Sequence, residues 1–163
     1  DIEAIIADEI YQPPEIWKLN HVQVSCGDHS IPTATVSMKG PSNEVYEDAA
    51  TGSGPVDAVY QAINRIVWAS NTLTEFSINA VTEGLDAVAE ATIRIQPHNG
   101  GSQTKVNPQT NQTFASTFCG HGASTDIVVA SARAYLSALN KMLAASEENA
   151  SVVERTAAQN GVL

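Results

Sequence analysis

Gly52-Ser53-Gly54-Pro55-Val56-Asp57-Ala58-Val59 and Gly120-His121-Gly122-Ala123-Ser124-Thr125-Asp126-Ile127-Val128 decide the fold, because each joins a glycine-x-glycine turn to an amphipathic run. After the first, Val56, Val59, Tyr60, Ile63, Ile66 and Val67 recur at three- and four-residue spacing, which is one face of an α-helix. Pro55 suits the first turn of that helix, and Asp57 suits its positive end. After the second, Val128, Ala132, Tyr135, Leu136, Leu139, Met142 and Leu143 form an equivalent stripe, with Ala130, Ala134 and Ala138 on the opposite side. A helix apolar on two sides is buried on two sides, so a second copy of the chain is the simplest cover for the alanines.

Ahead of each glycine turn the period is two. Val22, Val24 and Cys26 oppose His21, Gln23 and Ser25, and Gly27-Asp28-His29 turns the chain. Ala34, Val36 and Met38 alternate with Thr33, Thr35 and Ser37, and after Gly40-Pro41-Ser42-Asn43 a third strand covers about 44–50. The second set repeats this. A strand over about 73–82 carries Phe76, Ile78 and Ala80 on one face, and after Gly84 the next carries Ala87, Ala89, Ala91, Ile93 and Ile95. Residues 97–111 are polar and read as a long hairpin loop before a strand over about 112–119.

The pattern specifies an α+β fold of two pseudo-symmetric βββα units, about 17–69 and 72–143, within a domain spanning 15–143. Residues 1–14 space Ile2, Ile5, Ile6 and Ile10 helically until Pro13-Pro14, as the end of a helical linker would. The polar tail, 144–163, is expected to be a frayed helix or disordered. The start at Asp1, without an initiator methionine, is the pattern of a segment cut from a longer chain.

The formal charge of −10 would repel phosphate backbones and anionic headgroups, so nucleic acid and membranes are excluded as natural partners. No apolar run is long enough to span a bilayer, and the acidic, amphipathic stretch from Asp1 to Ile6 is unlike a signal or transit peptide. The two cysteines, Cys26 and Cys119, lack metal-ligand spacing and read as free buried thiols in a reducing, cytoplasmic compartment. None of His21, His29, His98 and His121 stands at the i, i+2 or i, i+4 spacing of metal ligands, and no nucleophile–base–orienter trio is evident.

What remains is the glycine turns. A turn feeding a helix start presents unpaired N–H groups and a positive dipole end, which suit a carboxylate or phosphate. Neither turn completes a dinucleotide or P-loop pattern. The glycines could equally serve only a tight strand-to-helix connection. Asp57 and Asp126 have the same two readings, as helix caps or as contacts to a ligand ammonium.

Thr51-Gly52-Ser53-Gly54-Pro55-Val56-Asp57-Ala58-Val59-Tyr60-Gln61-Ala62-Ile63-Asn64-Arg65-Ile66 resembles the hallmark stretch of the regulatory domain of 2-isopropylmalate synthases, cyanobacterial and plastid versions above all. So do Val22-Gln23-Val24-Ser25-Cys26-Gly27, Ala80-Val81-Thr82-Glu83-Gly84-Leu85-Asp86-Ala87 and the run from Thr125 to Asn140. The resemblance implies a domain that follows a catalytic barrel, pairs across a two-fold axis and binds leucine to lower the barrel's activity. The whole enzyme would condense acetyl-CoA with 2-oxoisovalerate on a divalent metal held in the barrel. Within this chain it implies no cofactor, no catalytic residue, and a cytoplasmic setting, or the plastid stroma in a plant or alga.

Carried over by position, the effector site comprises Gly52, Gly54, Val56 and Asp57 at the first turn. Leu73, Phe76, Ala80 and Ala87 would line the side-chain pocket, and Ala123, Ser124 and Thr125 would close it. Phe76 stands where the family often has tyrosine, and the 97–111 loop is longer than usual. Three other functions fit the residues: an isoleucine-sensing domain of a citramalate synthase, a purely structural dimerisation module, and a small enzyme holding a phosphate ligand.

Overall fold

In a computed structural model, residues 15–82, 84, 87–98, 104–106, 109 and 113–160 are described. The proposed linker end, 1–14, lies outside them. The first unit is β1 (Lys18–Gly27), β2 (Ser30–Lys39), β3 (Val45–Thr51) and α1 (Pro55–Val67). The second is β4 (Asn71–Ala80), β5 (Ala89–Pro97), a small hairpin of β6 (Thr104–Val106) and β7 (Thr113–Ala115), then β8 (Phe118–Ser124) and α2 (Ile127–Asn160). The two three-stranded sheets, β1-β2-β3 and β4-β5-β8, are antiparallel meanders. The α+β duplication expected from the sequence is therefore present.

Alternation sets what each sheet buries. Register places Val22 beside Val36 and Val24 beside Ala34, so one face of the first sheet is apolar. Ala34, Val36 and Met38 are fully buried under α1, which contributes Ala58, Val59, Tyr60, Ala62 and Ile63. In the second sheet, Ala91, Ile93 and Ile95 face α2 in the same way. Asp48, on the helix side of β3, accepts a 3.0 Å bond from Arg65 in the last turn of α1. The Ala49 N–H, and after it Arg65, holds the Asp48 carboxyl below the usual carboxylate range.

Two expectations need correction. Gly120-His121-Gly122 is not a turn but the middle of β8, paired with Ile93, Thr92 and Ala91 of β5. A Cβ on Gly120 would lie 2.0 Å from the Ala134 carbonyl oxygen, and one on Gly122 would lie 2.3 Å from that of Ala130. These glycines let a helix backbone rest directly on a strand. For the same reason the Ala130/Ala134/Ala138 stripe is filled from within the chain: all three residues are 0% exposed, seated on β8. It is not a surface awaiting a second copy.

Of the two states expected for the tail, a helix is the one present through residue 160. α2 continues to Asn160, because residues 144–160 contain neither glycine nor proline and are rich in alanine and glutamate.

The helix starts differ. At α2, Asp126 Oδ1 accepts the N–H of Val128 at 2.8 Å and of Val129 at 3.4 Å, so the capping account of this residue holds. Asp126→Ala is expected to cost about 1 kcal/mol, lowering the melting midpoint followed by far-UV circular dichroism by about 2–4 °C. An unchanged midpoint would mean the cap contributes nothing to stability.

Candidate functional site

The start of α1 has no side-chain cap. Its N-cap is Gly54, in extended conformation (φ −160°, ψ 176°) that any residue can adopt, and a Cβ there would meet nothing within 4 Å. The fold makes no demand for glycine at this position. Gly52 is different: a Cβ there would lie 2.4 Å from the Ala58 nitrogen and 2.7 Å from Asp57 Oδ2. Asp57 Oδ2 in turn accepts the Ser53 N–H at 2.9 Å and the Ser53 hydroxyl at 3.2 Å. Thus Gly52 and Asp57 shape the turn, while Gly54 leaves the helix start bare. Asp57 Oδ2 is thereby occupied within the turn.

One helical turn after Val56 comes Tyr60, and its ring reaches across to the second unit. It meets Phe76 of β4 edge-on, centroids 6.4 Å apart, and lies 4.4 Å from the ring of Tyr135 in α2. Tyr135 donates to Asn64 Oδ1 (2.7 Å) or Asn71 Oδ1 (3.0 Å), tying α1, the start of β4 and α2 together. The connection from α1 to β4 is short, and Tyr60 meets Phe76 part-way along each. Tyr60 and Asn64 follow Ser131 and Tyr135 in the same chain direction, so both helices start at the same end.

The register across the second sheet places Ala80 beside Ala89 and Ala89 beside Ser124, in one row at this end. Gly54 and Val56 stand at the start of α1, Ser124 and Thr125 just before α2, and Phe76 touches α1 through Tyr60. Leu73 pairs with Ile95 at the opposite end of β4, roughly 20 Å from Ala80 at strand rise. Ala123 pairs with Glu90 on the sheet face turned away from the helices, where its carbonyl accepts from Arg133. Ala87 is half-buried, next to the Val81–Val88 backbone bond that follows β4. The inner face of β4 is only partly covered, Leu73 and Phe76 each remaining 40% exposed.

Sequence reasoning treated Tyr60 only as core, and it is 6% exposed. Yet its hydroxyl oxygen is buried and has no hydrogen-bond partner. Ser131 stands beside it; its own hydroxyl donates to the Ile127 carbonyl at 2.7 Å, while its oxygen can still accept and draws the Tyr60 ionisation down a little. Burial, and then the neighbouring Tyr135 phenol, drive the Tyr60 ionisation far above the usual tyrosine range, so the group stays a neutral donor.

Among the described residues no three His, Cys, Asp or Glu side chains gather as a metal site, and no helix is long and apolar enough to cross a membrane. Neither Cys26 nor Cys119 is in a disulfide; Cys119 is buried with its sulfur 3.6 Å from His121 Nε2, whereas Cys26 is exposed, against the expectation that both be buried.

Two βββα units that meet through their helices form a duplicated α+β domain, and neither glycine pair completes a nucleotide-binding pattern. Among known families, the LeuA allosteric (dimerisation) domain matches residues 1–143. The chain belongs to that family. It is 50% identical over 151 residues to the 2-isopropylmalate synthase of Picosynechococcus sp., covering 93% of this chain and 25% of that protein. It is 50% identical over 157 residues to that of Gloeothece citriformis (96% and 26%), and 52% identical over 144 residues to that of Trichodesmium erythraeum (88% and 24%). The chain spans about a quarter of the length of these relatives.

Proposed function

We propose that this chain is the leucine-sensing, dimer-forming regulatory domain of a 2-isopropylmalate synthase, binding the amino acid at the start of α1. The carrying observation is Gly54: an N-cap position that nothing in the fold reserves for glycine, with no side chain capping the helix. The bare N–H groups of Val56 and Asp57 and the helix dipole suit the carboxylate of a free amino acid. The half-open aromatic and aliphatic wall of Phe76 and Ala80 suits its side chain. The family description supports pairing of two copies, and the names of the relatives support the enzyme. In that enzyme leucine would lower catalysis through its preference for one arrangement of the dimer, by no more than its difference in affinity allows.

Titration calorimetry of the chain is expected to show saturable leucine binding near one site per chain, stronger than isoleucine or valine. Stronger binding of isoleucine would favour a citramalate synthase domain. Absence of binding by all three would leave a structural dimerisation module. Gly54→Asp adds a carboxylate that caps α1 from within. It should leave the melting midpoint within about 2 °C of the parent while weakening leucine binding more than about tenfold.

A further inference from the structure

We infer that residues 1–14 dock on Trp68, the residue that ends α1, and cover it together with the neighbouring Tyr46. Trp68 is unusual in two independent ways. Its backbone is left-handed (φ 55°, ψ 30°), a conformation that favours glycine, the common residue where a helix stops. Its side chain is 88% exposed, more than any other large apolar residue among those described. Neither the turn nor the packing of the described residues calls for tryptophan at this position.

Trp68 belongs to an apolar end of the domain. The short turn at 52–54 makes β3 and α1 antiparallel, and Asp48 bonds Arg65, so passing from Arg65 to Trp68 is passing from Asp48 toward Tyr46 and Val45. Val45 is 58% and Tyr46 40% exposed, which makes the three a patch rather than a stray side chain. The chain enters at this same end. The Trp17 ring meets Tyr46 at 5.4 Å, and Lys18 pairs with Lys39, which pairs with Val45.

Only Glu15 and Ile16 separate Trp17 from the segment 1–14, whose Ile2, Ile5, Ile6 and Ile10 recur at helical spacing and need an apolar cover. Ten helical residues span about 15 Å, and β1 and β3 lie two strand spacings, about 10 Å, apart, so the segment reaches the patch. Charge is complementary as well. The segment carries Asp1, Glu3, Asp8 and Glu9 and no lysine or arginine. Lys18 and Lys39 stand directly opposite each other, a like-charge pair that nearby carboxylates relieve, and Glu15 already reaches Lys18 at 3.8 Å. One helix then serves two neighbours: the amino acid at its first turn, on the reading above, and the entering segment at its last. The second contact stands whether or not leucine binds.

The chain has two tryptophans, so Trp17→Phe leaves Trp68 as the only indole and keeps a ring against Tyr46. In that background, with all 163 residues present, acrylamide is expected to quench Trp68 fluorescence several-fold less than it quenches N-acetyltryptophanamide. Adding Ile5→Asp and Ile6→Asp, which break the apolar stripe, should bring quenching close to that of the free indole. Quenching at the free rate before those changes would overturn the inference. So would shielding that the two aspartates leave intact, since the cover would then be a second copy or another part of the protein. Trp68→Gly gives the reciprocal measurement and relieves the backbone rather than straining it. Amide exchange at residues 2–11 should speed up several-fold in that variant, and unchanged exchange would also overturn the inference.

Discussion

Gly120→Val is expected to unfold the domain or to lower its melting midpoint by more than about 10 °C, a cost above about 4 kcal/mol. The Cβ alone would lie 2.0 Å from the Ala134 carbonyl oxygen, 2.5 Å from the Ala138 nitrogen and 3.0 Å from the Ala138 Cβ. Two of those three atoms are helix backbone, which no rotamer change can move aside. Relief requires lifting α2 off β8. That would expose Ala130, Ala134 and Ala138 and pull on Tyr135 and Leu139, which seat the other side of the helix in the core. With typical domains stable by about 5–15 kcal/mol, one such wedge removes a large share. Thermal or urea denaturation of Gly120→Val beside Gly54→Ala checks the point, because a Cβ at Gly54 meets nothing. Equal midpoints for the two variants would mean that α2 does not sit on β8 as described.

That contrast also shows what was legible in the sequence. Strand and helix faces were, because each is a period: Ala34, Val36 and Met38, or Ala91, Ile93 and Ile95, need no knowledge of partners to be placed inward. The two glycine pairs were not distinguishable by spacing. Gly52 and Gly54 stand next to a helix start, whereas Gly120 and Gly122 stand inside a strand, yet a missing Cβ leaves the same mark in both. The distinguishing signal was Asp126, a strong capping residue four positions after Gly122, which places the second helix start beyond the glycines. Pro55 follows Gly54 immediately and places the first start beside them.

The candidate site was legible only in part, for a related reason. Local sequence marks the bare helix start at Gly54, but whether a residue shares that end depends on the register of distant strands. Ala80 and Ser124 come into one row through Ala89, while Leu73 is carried to the other end of β4 and Ala123 to the other face. Tyr60 was hidden by its own period. It sits in the apolar stripe of α1, and only the packing of two units brings its ring to both Phe76 and Tyr135.

Asn140→Ala is expected to lower stability by about 2–3 kcal/mol and the melting midpoint by about 5–10 °C. Asn140 is a polar residue 5% exposed in the middle of α2, a position where an amide is costly unless fully bonded. Its Oδ1 accepts the Trp17 N–H at 2.9 Å, and its Nδ2 donates to the Trp17 carbonyl at 2.9 Å. One side chain thus completes both backbone groups at the entry to β1. The Trp17 ring meets Tyr46 of β3 edge-on at 5.4 Å, extending the clamp from α2 across the first sheet. Truncation to alanine leaves two partly buried backbone groups without partners, so the loss should exceed that of an ordinary surface hydrogen bond. Asn140→Asp tests the geometry further. An ionised aspartate keeps the acceptor but turns a second oxygen toward the Trp17 carbonyl. Burial and that repulsion raise its folded pKa above the unfolded value, so its contribution is retained below the unfolded pKa and lost as pH rises through the folded one. The aspartate variant should therefore be less stable than the alanine variant near pH 8 and should recover relative to it as the pH falls toward about 4. Parallel stability–pH curves for the two variants would mean that the amide does not make both bonds to Trp17.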